Sequence, residues 1–222
     1  PIVSGNILYY GGWGEKHPIT AFDTETKKIL WKYETSVGKY SPFIIDDNSF
    51  FFVDKECKLH CLNAVTGEII WKYDSVYPSG APVCSDKNIY LIQSNGLLHA
   101  INKQNGKRIW RVQISKNMDT PIIYADNRLF YADKKGFLYC IDAKTGIELW
   151  RYDNNYPVFR TIHDFDPAYF PTIWHYDSNI FFVSTDGNLY ALSAKDGSIE
   201  LKYKLDISLN TAPVMSADTL YF

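Results

Sequence analysis

The sequence lacks a strong excess of either charge. Its 222 residues include 23 Lys and Arg against 25 Asp and Glu, which gives a formal net charge of −2. A surface that binds nucleic-acid phosphates or an anionic membrane usually carries a marked basic excess. The composition therefore predicts no nucleic-acid partner and no electrostatic attachment to a membrane.

Long hydrophobic runs and catalytic signatures are also missing. No apolar run approaches the roughly 18 residues that a membrane-spanning helix needs, so direct membrane insertion is not expected. The chain has no nucleophile elbow, no phosphate-binding glycine loop and no metalloprotease helix motif. The five histidines show no metal-ligand spacing. These absences predict a protein that is not an enzyme and that holds neither a metal nor a cofactor.

What the sequence does contain is a short repeat in five copies. Four copies place a tryptophan at the same position, and successive tryptophans are 40, 39 and 40 residues apart. A fixed period of this size is typical of stacked supersecondary units, none of which can bury its apolar face alone. The copies span residues 21–33, 61–73, 100–112, 140–152 and 191–203, with tryptophan at Trp31, Trp71, Trp110 and Trp150 and leucine at Leu201.

Each repeat unit predicts four short antiparallel strands. In the third unit, alternating residues and turn residues place strands at 81–84, 89–93, 97–102 and 107–112. Four short strands every 40 residues or so favour the blade of a β-propeller; a β-sandwich is the alternative, although it does not require this regularity. The predicted blades cover approximately residues 1–40, 41–80, 81–119, 120–169 and 170–211, with the first two strands of a sixth at 212–222.

The repeat Ala-x-Asp-x-x-Thr-Gly-x-x-x-Trp-x-Tyr resembles the tryptophan-docking repeat of the pyrroloquinoline-quinone-like propellers. That superfamily contains quinoprotein alcohol dehydrogenases and outer-membrane assembly lipoproteins of the BamB type. The resemblance implies an all-β propeller in which Trp31, Trp71, Trp110 and Trp150 pack between neighbouring blades. Since family members usually close with about seven or eight blades, we expect this chain to be part of a larger propeller.

The cofactor of the quinoprotein enzymes is not implied. Those enzymes carry two adjacent cysteines over the quinone and a Glu/Asn/Asp set around calcium, whereas this sequence has no adjacent cysteine pair. Cys61 and Cys140 occupy a repeat position that is alanine in the other copies, which indicates small buried residues. Cys57 occupies a turn position that is glycine in other copies, and Cys84 lies on a predicted strand. We therefore expect four structural thiols without a disulfide or a zinc site.

Two segments break the repeat and are the candidate binding sites. The connection from Trp150 to Pro171 is 21 residues long, whereas the equivalent connections are 11 or 12. Long insertions on rigid repeats often carry function, although this one could instead cover blade edges. Its candidate binding residues are Tyr156, Phe159, Arg160, His163, Asp164, Asp166 and Tyr169.

The second irregular segment is the middle hairpin of the first blade, which is three residues longer than its counterpart in the third blade. It contains Trp13 and His17. Trp13 could stack on a ligand, or it could pack against a neighbouring hairpin.

Three functions follow from these patterns. The favoured one is a non-catalytic scaffold of the BamB type that binds another protein or an extended peptide. The alternative is a sensor that binds a small ligand or carbohydrate, and the third is a fragment of a quinone-dependent dehydrogenase. The family resemblance implies the periplasm or cell envelope, whereas free cysteines leave a cytoplasmic location open.

Overall fold

The computed structural model describes residues 1–11, 18–35, 43–74, 82–93, 95–114, 121–158, 173–205, 214–216 and 219–221. Every regular element in these ranges is a β-strand. The strands form five four-stranded antiparallel sheets and one two-stranded sheet. The prediction of an all-β fold built from four-stranded units is therefore confirmed, and the two-sheet sandwich is not what forms.

Each four-stranded sheet is a meander in which consecutive strands are neighbours. The first sheet contains β1 (Ile2–Ser4), β2 (Ile7–Tyr10), β3 (Ile19–Asp23) and β4 (Lys28–Tyr33). The second contains β5 (Ile44–Asp46), β6 (Ser49–Val53), β7 (Lys58–Asn63) and β8 (Ile69–Asp74). The third contains β9 (Val83–Cys84), β10 (Asn88–Ile92), β11 (Leu97–Asn102) and β12 (Arg108–Gln113).

The two later sheets have the same order. The fourth contains β13 (Ile123–Ala125), β14 (Arg128–Ala132), β15 (Phe137–Asp142) and β16 (Glu148–Asp153). The fifth contains β17 (Ile173–Tyr176), β18 (Asn179–Val183), β19 (Asn188–Ser193) and β20 (Ile199–Lys204). Strands β21 (Val214–Ser216) and β22 (Thr219–Tyr221) form the two-stranded sheet.

The contacts divide the chain into two compact units. The first unit comprises Pro1–Pro78 with Ile101–Arg108, and the second comprises Ser79–Ala100 with Ile109–Phe222. The first unit has a core of aromatic and aliphatic side chains that includes Tyr9, Trp31 and Phe50. The second unit has two cores, one around Tyr90 and Tyr131 and one around Phe130 and Phe182. Each core combines side chains from neighbouring sheets, as expected of units that cannot bury their apolar faces alone.

The repeat motif owes its turn to local hydrogen bonds. In the fourth copy, Oδ1 of Asp142 accepts hydrogen bonds from the backbone N–H groups of Lys144 (3.1 Å) and Thr145 (2.7 Å). These bonds stabilise the turn and lower the pKa of Asp142, with the Thr145 hydroxyl as the largest contributor. The turn ends at Gly146, whose φ of 76° suits glycine. Asn63 and Asn102 accept the same backbone bonds and precede glycines of positive φ, so Asp or Asn followed by glycine recurs in three copies because it builds the β-hairpin between the third and fourth strands.

In three sheets, a β-bulge follows the small residue that opposes the repeat tryptophan. Ala21 pairs with Trp31, Cys61 with Trp71 and Cys140 with Trp150, and the register shifts immediately after each small residue. Cys61 and Cys140 are fully buried, as the sequence pattern predicted. An extra residue in one strand increases the local twist and changes the direction of the neighbouring side chains.

Cys57 occupies a turn position with φ 64°, where the equivalent Gly96 and Gly136 have φ of 81° and 96°. Cys57 is therefore in a left-handed conformation that a residue with a Cβ adopts at a cost of about 1 kcal/mol. Glycine occupies this position in other copies because it adopts a positive φ without that cost.

Candidate functional site

The repeat tryptophans connect each sheet to the hairpin turn of the next repeat. In all four cases the indole Nε1 donates a hydrogen bond to a backbone carbonyl of that turn. The acceptors are Ala64 for Trp31 (2.9 Å), Lys103 for Trp71 (2.8 Å), Ala143 for Trp110 (3.2 Å) and Ala194 for Trp150 (3.1 Å). A buried indole N–H needs such a partner, so the spacing of the repeat fixes both members of each hydrogen bond.

The turn glycine gives the indole ring its space. A Cβ on Gly197 would lie 2.7 Å from Cε3 of Trp150, and one on Gly67 would lie 2.6 Å from Cδ2 of Trp31. These separations are too short for any side chain. The Thr-Gly element and the tryptophan are therefore two halves of one contact between neighbouring sheets.

Three of the sheets also carry a stacked pair of aromatic rings. In each pair, one ring comes from the second strand and the other from the residue directly opposite it on the third strand. The pairs are Phe52 with His60 (centroids 4.6 Å apart), Tyr131 with Tyr139 (4.7 Å) and Phe182 with Tyr190 (5.0 Å). We refer to these three sets as the stacked pairs. They occupy equivalent repeat positions, so they can be compared directly.

Two of the stacked pairs are covered by a tyrosine from the preceding sheet. Tyr33 packs edge-on against Phe52 (5.9 Å) and His60 (6.0 Å), and its hydroxyl lies 3.4 Å from Nδ1 of His60. Tyr152 packs at a tilt against Phe182 and Tyr190, with both centroid distances 6.4 Å. Both tyrosines stand two residues after a repeat tryptophan, at the last position of the Trp-x-Tyr motif.

The third stacked pair, Tyr131 with Tyr139, faces a valine instead. The residue two positions after Trp110 is Val112, and a cavity of about 600 Å³ lies beside it. We call this cavity the Val112 groove. It lies within the second unit, and its lining includes Val112, Gln113, Tyr131, Lys135, Tyr139 and Arg151. Its volume is within the range of natural ligand sites, about 300–1,000 Å³.

A buried carboxylate holds the floor of the Val112 groove in place. The Tyr139 hydroxyl donates a hydrogen bond to Oδ2 of Asp133 (3.1 Å), and Oδ1 of Asp133 accepts from the backbone N–H groups of Lys135 and Phe137. Burial and the adjacent Asp133 charge raise the pKa of Tyr139 to about 12. The phenol therefore stays protonated at neutral pH and keeps Asp133 hydrogen-bonded.

The rim of the Val112 groove is charged. Arg151 lies over the Tyr139 ring, 5.8 Å from its centroid, and its guanidinium is bonded to Glu148 (2.7 Å). Lys135 is exposed, and no ion pair within the described part of the chain involves it. The rim thus combines the ion pair of Arg151 and Glu148 with the positive charge of Lys135.

The wall formed by the end of β12 is fixed by hydrogen bonds. Nε2 of Gln113 donates to the carbonyls of Asn95 (3.0 Å), Gly96 (3.0 Å) and Ile114 (3.1 Å), while the N–H of Ile114 donates to Gly96 (2.8 Å). A surface ordered in this way loses little entropy when it binds a partner.

His60 and Asp54 form the most buried acid–base pair in the described chain, but it is an internal contact. Nε2 of His60 lies 2.7 Å from Oδ2 of Asp54. Burial lowers the pKa of His60, although the Asp54 carboxylate opposes this effect. His60 is only 2% exposed and packs against Tyr33 and Phe52, so no substrate reaches it. His60 is therefore a packing residue.

Most of the candidate residues at the two irregular segments lie outside the described residues. These are Trp13 and His17 in the first segment and Phe159, Arg160, His163, Asp164, Asp166 and Tyr169 in the second. Tyr156 is described, and its side chain is 51% exposed. Their roles in binding therefore stay predictions.

The start of the long connection is attached to the fifth sheet. Nδ2 of Asn154 donates hydrogen bonds to the backbone oxygen of Tyr156 (2.6 Å) and to Oγ of Ser184 (2.7 Å). Val158 forms an antiparallel bridge with Ser184, and the N–H of Thr185 donates to Pro157 (3.0 Å). Residues 154–158 are therefore held by the sheet that follows them in the sequence.

The Val112 groove was not among the candidate sites predicted from the sequence. The signal was present, since Val112 is the one copy of the Trp-x-Tyr ending that lacks tyrosine. The consequence of that substitution depends on the stacked pair it faces, and this pair comes from a different sheet.

All four cysteines are thiols and none takes part in a disulfide. Burial raises the pKa of the Cys61 thiol to about 11 and that of Cys140 to about 12. Both thiols are therefore protonated and unreactive at neutral pH. The expectation of structural thiols without disulfides is confirmed.

Within the described ranges, no group of three or more His, Cys, Asp or Glu side chains is arranged to hold a metal ion. The same ranges contain no helix with the length and apolar character needed to cross a membrane.

Comparison with known proteins identifies the family. A family model described as "Outer membrane protein assembly factor BamB" matches residues 15–123 and 58–170, which together cover more than half of the chain. The chain belongs to this BamB-like family of β-propeller repeat proteins. The resemblance inferred from the repeat is therefore confirmed.

Individual relatives agree with this assignment. The outer membrane protein assembly factor BamB of Escherichia coli (strain K12) is 29% identical over 144 residues, which are 64% of this chain and 36% of that protein. The crystal structure of BamB from Moraxella catarrhalis superposes with a TM-score of 0.66 at 18% identity, covering 89% of this chain and 58% of that chain. The present chain thus spans about a third to somewhat over half the length of these two relatives.

The same fold also occurs in enzymes. A europium-containing methanol dehydrogenase superposes with a TM-score of 0.67 at 12% identity, covering 90% of this chain and 49% of that chain. The propeller fold is shown by both superpositions, whereas the choice between a BamB-like and an enzymatic function depends on the site.

Proposed function

We propose that this chain is a non-catalytic propeller that binds another protein and acts as a scaffold. The observation that carries the proposal is the Val112 groove, an ordered recess with an aromatic floor and a charged rim. Membership of a family described as outer membrane protein assembly factors supports a protein partner and a location in the periplasm or cell envelope.

The chemistry of the groove favours binding over catalysis. Each polar group of its floor is already hydrogen-bonded, since Asp133 accepts from Lys135, Phe137 and Tyr139. A general base needs an unshifted or suitably tuned pKa and a free lone pair near the substrate. The Tyr139 phenol, with a pKa of about 12, meets neither requirement at neutral pH.

Site-specific photo-crosslinking in the host cell tests the scaffold function. A photoreactive amino acid replaces Lys135 at the Val112 groove in the full-length protein, and the matched control carries it at Lys202. Lys202 lies over the Tyr190 ring (5.1 Å) at the junction that Tyr152 covers. We expect a discrete protein adduct from position 135 and a weaker or absent one from position 202.

Two results together would contradict the scaffold function. Neither position gives a protein adduct, and the full-length protein loses its function in the cell only when quinone and calcium are removed. The enzyme alternative predicts a change in the absorbance spectrum when quinone and calcium are added to the full-length protein. We expect no such change.

A further inference from the structure

We propose that a hydrogen-bonded chain of three side chains, Tyr33, His60 and Asp54, makes the junction between the first and second sheets an acid-sensitive switch. When His60 takes up a second ring proton, the chain loses the hydrogen bond that joins it to Tyr33, and the first sheet is held less firmly against the second. The chain lies within the first unit, so the inference is independent of the Val112 groove and of the proposed scaffold function.

The hydrogen-bond partners assign the hydrogen on the imidazole at neutral pH. Oδ2 of Asp54 lies 2.7 Å from Nε2 of His60, and Oδ1 accepts a hydrogen bond from the backbone N–H of Lys58 (2.9 Å). An aspartate carboxylate only accepts hydrogen bonds, so Nε2 carries the hydrogen and donates. Nδ1 is then the acceptor of the neutral ring, and the Tyr33 hydroxyl, 3.4 Å away, donates to it. The chain therefore runs in one direction, from the hydroxyl of the first sheet to the carboxylate of the second.

A second proton on His60 reverses the polarity of its contact with Tyr33. Nδ1 becomes an N–H donor, and the Tyr33 hydroxyl loses the acceptor for its own hydrogen. That hydroxyl must then turn its hydrogen toward another acceptor, whereas Asp54 keeps its bond to Nε2. The partner that is lost is the one from the first sheet, so protonation acts on the junction and not on the second sheet itself.

The surroundings of His60 oppose this second proton near neutral pH. Among the described residues, the charged or titratable groups that face it are Tyr33 of β4, Asp54 and Lys58 at the start of β7, and Lys72, directly opposite on β8. Burial is the largest influence and lowers the pKa of His60, the Asp54 carboxylate raises it, and the two lysines lower it.

The lowered pKa of His60 sets the direction of the pH effect. The folded protein holds the second proton less tightly than the unfolded chain, in which the pKa of a histidine is about 6.5. The contribution of the neutral ring to stability is therefore complete above about pH 6.5 and is lost as the pH falls below that value. Acid weakens the junction, and neutral pH restores it.

The other stacked pairs show that this response is specific to one of the three. Their third-strand rings are the phenols of Tyr139 and Tyr190, which donate hydrogen bonds to Asp133 (3.1 Å) and Asp186 (2.8 Å). A neutral phenol takes up no proton in acid, so neither ring becomes charged. Of the three stacked pairs, the one with His60 is thus the pair whose ring titrates in acid.

Hydrogen exchange of the purified full-length protein tests the switch. Exchange is measured by mass spectrometry at pH 7.5 and pH 5.0, with times scaled to the intrinsic rate at each pH, on peptides that contain β4 and β7. We expect protection to fall by about three- to tenfold at the lower pH, since one proton changes an equilibrium by at most about tenfold per pH unit. Equal protection at the two pH values would overturn the inference.

Two substitutions at one repeat position separate His60 from the other histidines. His60→Tyr introduces the residue that the fourth and fifth sheets carry at this position, and it should abolish the fall in protection at pH 5.0. The matched control is His99→Tyr, which changes the same position in the third sheet and should leave the fall at β4 and β7 intact. A fall that persists in His60→Tyr, or that disappears in His99→Tyr, would contradict the proposal.

NMR of the unsubstituted protein decides the question if His60→Tyr does not fold. The ring signals of Tyr33 and His60 are followed through a titration from pH 8 to pH 5. We expect both rings to shift with the same midpoint, because the hydroxyl loses its acceptor when His60 is protonated. A titration of His60 that leaves the Tyr33 signals unchanged would show a buried histidine without a switch, and the proposal would fail.

Discussion

Two neighbouring junctions between sheets of the second unit are built from the same repeat positions but differ in one side chain. Between the fourth and fifth sheets, Tyr152 covers the stacked pair of Phe182 and Tyr190. Between the third and fourth sheets, Val112 leaves the equivalent pair, Tyr131 and Tyr139, beside an open groove. Both junctions keep the same tryptophan contact, through Trp150 and Trp110. The contact that joins the sheets and the side chain that distinguishes the two junctions are therefore different residues of one repeat.

Removing the contact that both junctions share should have the largest effect. Trp150→Ala deletes a large ring packed between sheets and leaves a cavity over Gly197, so we expect the free energy of unfolding to fall by about 3–5 kcal/mol. Urea denaturation measures this loss of free energy of unfolding. Leu201→Ala is the matched control, since Leu201 occupies the same repeat position but is 41% exposed. A loss of similar size in both variants would mean that the tryptophan contact is not what holds the sheets together.

Opening the covered junction should convert it into a second groove. Tyr152→Val removes the ring from Phe182 and Tyr190, and we expect a loss of about 1–3 kcal/mol in the free energy of unfolding. Urea denaturation measures this loss. Tyr203→Val, at the equivalent position but 58% exposed, should change stability by less than about 0.5 kcal/mol. A loss of similar size in Tyr203→Val would show that packing of Tyr152 on the stacked pair is not what stabilises this junction.

Closing the open groove is the reverse experiment and should have a smaller effect of opposite sign. Val112→Tyr adds apolar area against Tyr131 and Tyr139, and we expect the protein to gain about 1 kcal/mol in the free energy of unfolding. Thermal and urea unfolding measure the gain. If Val112→Tyr instead destabilises the protein more than Val112→Ala does, the recess does not have the shape of the covered junctions.

The smallest effect concerns alkaline pH at the floor of the groove. The pKa of Tyr139 is raised to about 12, above the value of about 10 for an unfolded tyrosine. Its contribution to stability is therefore complete below pH 10 and is lost as the pH rises from about 10 towards 12. Tyr139→Phe should show a shallower decline in the free energy of unfolding between pH 9 and pH 11.

The Tyr139→Phe variant also lacks the hydrogen bond to Asp133, which should lower stability at pH 8 by about 0.5–1.5 kcal/mol. Tyr190→Phe is the matched control, because the pKa of Tyr190 is also raised by burial and its hydroxyl bonds Asp186. An identical alkaline slope in the wild type and Tyr139→Phe would rule out Tyr139 as a contributor.

The fold could be predicted from the sequence because local chemistry specified it. The strands of the third sheet lie within one or two residues of their predicted bounds, at Val83–Cys84, Asn88–Ile92, Leu97–Asn102 and Arg108–Gln113. The signals that specify the strands and turns act over a few residues: the alternation of apolar and polar residues, the Asp or Asn of the turn, and glycines with positive φ. A single copy therefore contains enough information to predict its own sheet. Five copies then reinforce each other.

The groove could not be predicted in the same way. The sequence shows that Val112 departs from the Trp-x-Tyr ending, but length irregularities drew attention to residues 11–18 and 156–170 instead. A missing ring has a consequence only at the place in the fold where it would have packed against other rings. Tyr131 and Tyr139 belong to another sheet, 19 and 27 residues further along the chain, and their stacking is a property of their cross-strand register.

The sequence by itself determined the repeat, the all-β fold and the role of its small and turn residues, because these follow from period, backbone conformation and residue volume. Only the tertiary structure decided which repeat position is filled and which is open. Whether a cavity exists depends on side chains from two sheets meeting across a gap, and no local pattern encodes that distance. The tryptophan repeat thus makes the sheets alike, and the one tyrosine that it lacks makes one junction different.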